Sequence, residues 1–261
     1  MAWPKRIESL RNFVLWECKD IPPDLVLAII KHESAGVIGR QGTGHTKCGD
    51  IIDLNGNNHR VCNAMGLMQT IPATINWYND SANDNEQATY EDMVGDDDRA
   101  ARLQIRIGCK FLALANHFLH KKIPAAAPAA SLSNATPDQI ALALTGFAVG
   151  HGATLKKLTA VEALGEKPTF KAIKKHFPNW GKNADGKWIN RPITFAETIL
   201  NWYQDNKMGS FDSPGKAIEI AKRKVSNLPG GGAFAAVLFL AGAGWLINKH
   251  FTKIRGINED S

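Results

Sequence analysis

Cysteine is scarce in this chain, with four residues among 261, and Cys18, Cys48, Cys62 and Cys109 lack the close pairing that a zinc site requires. His45 and His59 read as surface residues rather than ligands. The stretch Asp53-Leu54-Asn55-Gly56-Asn57 lacks the spaced acidic ligands and closing glutamate of a calcium loop. No metal and no cofactor is therefore expected. No internal repeat is present, and no nucleic-acid motif. The opening residues, Met1 to Arg6, contain no apolar stretch of signal-peptide type. Free thiols are then the default expectation, although Cys48 and Cys62 bracket a hairpin and are placed to bridge it in an oxidising compartment.

Apolar residues make up 44% of the chain, enough for one good core with a small appendage. The net charge of +6 is unevenly shared: residues 1–150 hold 14 Lys and Arg against 16 Asp and Glu, and residues 151–261 hold 17 against 9. A basic second part suits anionic partners such as wall polymers or phospholipid headgroups. Val225 to Asn248 is an uncharged run of 24 residues, long enough for a spanning helix. Its flanks are basic on both sides, so orientation stays open. The expected organisation is an N-terminal helix at 1–21, a catalytic domain at 22–210, a basic linker at 211–229, a transmembrane helix at 230–248 and a short tail at 249–261.

Leu25, Val26, Ile29 and Ile30 form a helical apolar stripe that ends on the carboxylate of Glu33. Burial and the negative end of a helix both disfavour a charged carboxylate, which suits a general acid. Gly36 to Asn63 is a polar excursion, and its Asn55-Gly56 pair beside Ile51-Ile52 predicts a β-hairpin. Asp80 to Asp98 carries eight acidic residues and no basic one, and its last aspartates predict a helix start. Ile123 to Pro137 reads as an exposed connection, with helix resuming at Asp138. Trp180 and Trp188 are candidates for sugar stacking or, more often, for packing.

Glu33-Ser34 followed by Ala64-Met65-Gly66-Leu67-Met68-Gln69-Thr70 resembles the soluble lytic transglycosylase domain, a lysozyme-like family that cleaves peptidoglycan. The resemblance extends over about Pro22 to Tyr203. It implies a mainly α, lysozyme-like fold with a small hairpin at the cleft. It also implies that Glu33 is the sole catalytic acid and base, with Ser34, Met68 and Gln69 on the substrate side. Leu103 to Leu112 resembles the family's Asn-Ile-x-x-Gly-x-x-Tyr-Leu helix, with Gln104 and Phe111 in place of its asparagine and tyrosine. Ala141 to Gly152 departs further from the family's Ala-x-x-Ala-Tyr-Asn-Ala-Gly-x-Gly: Gly150 and Gly152 fit, but Phe147 and Ala148 replace a tyrosine and an asparagine, leaving the Phe147 ring to cover a sugar face. Near Glu197-Thr198, Tyr203 either supplies a hydroxyl close to Glu33 or packs.

The expected reaction is cleavage between N-acetylmuramic acid and N-acetylglucosamine to 1,6-anhydro products, for local wall opening during phage genome entry. The enzyme would be membrane-anchored in a virion and act in the host periplasm, with other virion or envelope proteins as partners; the alternative location is the bacterial inner membrane. One alternative function is a goose-type lysozyme in which Asp50 or Asp53 positions water. Another is an inactive, membrane-anchored peptidoglycan-binding protein.

Overall fold

A computed structural model of the chain describes residues 3–43, 47–126, 131–180 and 190–207. The expected linker, membrane helix and tail lie outside these residues, as do His45 and Trp188. Among the described residues, no helix is long and apolar enough to cross a membrane.

The chain first forms two short helices, α1 (Lys5–Glu8) and α2 (Arg11–Glu17). The sequence predicts one helix here, and its apolar residues Ile7, Leu10, Val14 and Cys18 are buried as expected, whereas Leu15 is half exposed. Helix α3 (Pro23–Ser34) follows, with proline in its first turn where the missing N–H costs nothing. Leu25 to Ile30 are all fully buried. The predicted stripe is thus part of a stretch of helix, Leu25 to Ile30, enclosed on every side, as an uninterrupted apolar run demands.

Strands β1 (Gly49–Ile52) and β2 (Asn58–Val61) form the expected antiparallel hairpin, with Gly49 opposite Val61 and Ile52 opposite Asn58. Asp53 organises its turn, accepting hydrogen bonds from the backbone N–H groups of Asn55 and Asn57, while Gly56 supplies a φ of +81°. The tip is tied down where Leu54 N–H donates to the Glu91 carboxylate at 3.0 Å. Beneath the hairpin, α4 (Pro72–Ser81) and α5 (Tyr90–Val94) enclose a small second core of Ile51, Val61, Met65, Ile75, Tyr78, Met93 and Ile107.

The longest helix, α6 (Asp98–Lys122), joins the two cores. Asp97 caps it by accepting from Ala100 N–H at 2.7 Å, and His120, Lys121 and Lys122 occupy its last turn, so both ends complement the helix dipole. The connection after it is less exposed than predicted: Ile123, Ala126 and Leu132 are buried, and Leu132 N–H donates to Asp20 C=O at 3.1 Å. Helices α7 (Pro137–Val149), α8 (His151–Ala163), α9 (Phe170–His176) and α10 (Arg191–Lys207) complete the main core with α3 and α6. Trp180 packs into that core rather than lining a sugar site.

All four cysteines are bridged, which overturns the expectation of free thiols. Cys48–Cys62 closes the base of the hairpin, and Cys18–Cys109 joins the end of α2 to the middle of α6, with Cα atoms 5.7 Å apart. Nothing in the spacing of Cys18 and Cys109 signals their pairing; it follows from α2 lying along α6. Glu17 strengthens the same seam. Its nearly enclosed carboxylate receives Arg102 Nε and Arg106 Nε, each at 2.7 Å. Burial pushes Glu17 upward, but the Arg106 and Arg102 hydrogen bonds outweigh it and hold the group below the usual glutamate range.

The α2–α6 seam can be probed by redox state and by pH. The Cys18–Cys109 bridge spans a sequence separation of 91, so a Cys18→Ala/Cys109→Ala variant should lose about 4 kcal/mol in urea unfolding, a loss that disappears when both proteins are reduced. Because Glu17 is lowered on folding, its contribution is complete above the ordinary value of 4.5 and fades as pH falls through the lower folded value. Acid titration of unfolding should therefore show a steeper stability loss below that range in the native protein than in Glu17→Gln.

Candidate active site

Glu33 sits in the last turn of α3, with its side chain 21% exposed. The helix stops immediately behind it, because Ala35 and Gly36 both take positive φ, +54° and +78°. Ser34 helps to end the helix: its hydroxyl donates to Ile30 C=O at 3.1 Å and accepts from Gly36 N–H at 3.2 Å. Glu33 is thereby fixed at a rigid helix terminus rather than in a loop. His32 lies beside it, Nδ1 3.5 Å from a Glu33 carboxylate oxygen.

The chain leaving α3 runs back along the Gly66 to Gln69 turn. Gly66 N–H donates to Arg40 C=O at 2.8 Å and Gly42 N–H to Ala64 C=O at 2.7 Å. The turn is closed by the paired Met65 and Thr70 backbones. Gly66 has a φ of +77°, and a Cβ there would fall 2.7 Å from Gln104 Cγ, so glycine is obligatory on two counts. Gln104 itself is fully enclosed. Its Oε1 accepts from Gly39 N–H and Leu67 N–H at 3.1 and 3.0 Å, and its Nε2 donates to Asp92 C=O at 2.9 Å and Gly95 C=O at 3.2 Å. One amide thus joins the segment after Glu33, the glycine turn and the end of α5.

A row of rings passes the end of α3. Trp77 lies 6.3 Å from Phe111, Phe111 5.8 Å from Phe147, and Phe147 stacks nearly parallel on Phe195 at 6.2 Å. Phe195 meets the His32 ring edge to face at 4.9 Å, and His32 is 6.2 Å from Trp202. Five elements contribute, and Trp77, Phe111, Phe147 and Trp202 are only half buried. Partly exposed ring faces beside a half-buried carboxylate suit a chain of sugars, whose apolar faces stack on aromatic surfaces while an acid reaches the bond between them.

The Transglycosylase SLT domain family matches residues 16–170, more than half of the chain. The chain belongs to this transglycosylase family. It is a lytic transglycosylase-type domain of the lysozyme-like superfamily, and peptidoglycan is its substrate class. No curated protein and no solved structure matches the chain. The match ends before α10, short of the resemblance expected as far as Tyr203.

Within this transglycosylase domain, several residues read as substrate contacts have structural partners of their own. Ser34 is fully buried and faces the backbone it terminates. Met68 is enclosed at 1% exposure and presses on Gly108 of α6, where a Cβ would come 2.3 Å from its sulfur. Gln69 takes φ +49°, and its amide donates to Arg40 C=O and Gly66 C=O, both at 2.9 Å. Gly150 turns the chain from α7 into α8 at φ +87°, and Tyr203 is buried at 4% exposure in the main core. Phe147 joins the ring row. The two candidate second carboxylates stand on the hairpin: Asp50 pairs with Arg60 at 3.2 Å, and Asp53, lowered chiefly by the Asn57 backbone hydrogen bond, is committed to its own turn.

Nothing along the sequence marks His32, Phe195 and Trp202 as neighbours of Glu33. Their ring spacing is invisible along the chain, since α3 and α10 meet only once it is folded. Gln104 carries a usable signal, as it replaces the family's asparagine. Gln104→Ala should cost roughly 2–4 kcal/mol in chemical unfolding, because it strands two backbone donors beneath the glycine turn.

Proposed function

We propose that Glu33 is the single catalytic acid and base of this transglycosylase domain. Its carboxylic acid protonates the glycosidic oxygen between N-acetylmuramic acid and N-acetylglucosamine. The departing bond leaves positive charge at the anomeric carbon, which the neighbouring N-acetyl group of the same sugar relieves. The Glu33 carboxylate then takes the proton of the muramoyl 6-hydroxyl, and that oxygen closes the 1,6-anhydro ring. One carboxyl serves both steps, and the proton it gives up is restored at the end.

The observation that supports this reading is the position of Glu33: half buried, fixed at a helix end, and flanked by the ring row. The inverting hydrolase alternative needs a second carboxylate across the sugar to activate water. Asp53 is held by its turn and Asp50 by Arg60, which favours the single-carboxyl route. Two disulfides fit an oxidising compartment such as the periplasm. A membrane anchor at 230–248 would hold the enzyme near the wall for local opening during phage genome entry.

Digestion of purified sacculi should release muropeptides lacking the mass of one water relative to hydrolytic products, as read by mass spectrometry; products that carry the added water would defeat the anhydro route. Glu33→Gln, which keeps the shape but removes the proton, should lower the rate by roughly 10²- to 10⁴-fold. Unchanged clearing by that variant would remove Glu33 from the mechanism.

A further inference from the structure

His32 and Glu33 are consecutive, so their side chains leave α3 about 100° apart, yet His32 Nδ1 stands 3.5 Å from a Glu33 carboxylate oxygen. Among the described residues, no lysine or arginine forms an ion pair with Glu33. Lys31, the other base in this last turn, is turned to the Trp202 ring, its ammonium 4.0 Å from the ring centre. His32 is thus the basic group that faces the proposed acid.

The imidazole is held in this attitude by α10. Phe195 meets it edge to face, with ring centres 4.9 Å apart and planes at 86°, and Trp202 lies 6.2 Å away. Phe195 is itself buried and stacked on Phe147, so the imidazole rests on a packed wall. Both α10 residues lie beyond residue 170, where the family match ends. A histidine in the last turn of a helix also suits the helix dipole, but that role is indifferent to where the ring points. Here one ring nitrogen is aimed at the carboxylate, and the packing of the ring keeps it there.

We propose that His32 is the positioning residue of Glu33: its Nδ1–H donates to the carboxylate that Glu33 becomes once its proton has passed to the glycosidic oxygen, and holds that carboxylate ready for the muramoyl 6-hydroxyl. The inference rests on the reading of Glu33 as the single acid and base. A neutral imidazole carries one N–H, and a facing carboxylate selects the tautomer that has it on Nδ1. Glu33 gives one proton to the leaving oxygen and recovers one from the 6-hydroxyl, while His32 keeps its own throughout. A donor set in advance where charge develops lowers the barrier, and such contacts commonly tighten as the reacting complex forms. A starting separation of 3.5 Å fits that behaviour.

The test measures kcat and KM on solubilised peptidoglycan strands with the full chain. His32→Ala should lower kcat about ten- to fiftyfold and leave KM within about twofold, as expected for a charge-assisted hydrogen bond realised only after substrate has bound. His32→Asn, whose amide N–H takes the place of Nδ1–H, should recover most of the lost kcat. A loss confined to KM, an unchanged kcat in His32→Ala, or a His32→Asn variant as slow as His32→Ala would overturn the proposal. Glu33→Gln separates this from failure of the catalytic reading: native turnover in Glu33→Gln removes both, whereas a silent Glu33→Gln beside a fully active His32→Ala removes only the role of His32.

Discussion

The Gln104 amide, buried between the two cores, fixes the relative position of three chain segments, two of which carry no regular structure of their own where they meet it. A primary amide is the side chain suited to this task, because it offers two donors and an acceptor with two lone pairs in one plane. Here the acceptor takes Gly39 and Leu67, and the donors reach the carbonyls closing α5. Left unpaired in the interior, those backbone groups would each carry a desolvation cost. The amide therefore permits an irregular, glycine-rich loop to pack directly against a long helix, and it positions the segment leaving Glu33 without making the loop itself rigid by regular structure.

The glycine turn shows the same logic in steric form. Gly66 and Gly108 are both places where another side chain occupies the space a Cβ would need: Gln104 above the first, Met68 above the second. The turn and α6 are thus interlocked through two glycines and two long side chains. Met68 and Gln69, which read along the sequence as sugar contacts, are thus also part of the mounting. A motif beside an active site can serve by placing the backbone, and its side chains then face inward.

Short-range geometry is what sequence spacing records, and the apolar run of α3, the Asn55-Gly56 hairpin, the aspartate at the start of α6 and the helix resuming near Asp138 are all legible for that reason. The family motifs add the carboxylate and its glycine turn. What stays hidden along the chain is set by long-range packing. Cys18 meets Cys109 only because α2 lies along α6, and His32 meets Phe195 only because α10 returns to α3. The split of the first helix into α1 and α2, and the burial of Ile123 and Leu132, likewise answer to contacts far along the chain.

Replacement of the family's tyrosine and asparagine by Phe147 and Ala148 removes polar groups from the region beside the ring row. A site that loses directional hydrogen bonds must hold its ligand by area, and aromatic faces supply area with little loss of side-chain freedom on binding. The parallel stacking of Phe147 on Phe195 is consistent with that shift: a tyrosine hydroxyl is given up where a second ring extends the apolar strip. Stacking tolerates sliding along a polymer, since every sugar presents an apolar face, whereas a hydroxyl or amide would favour one register.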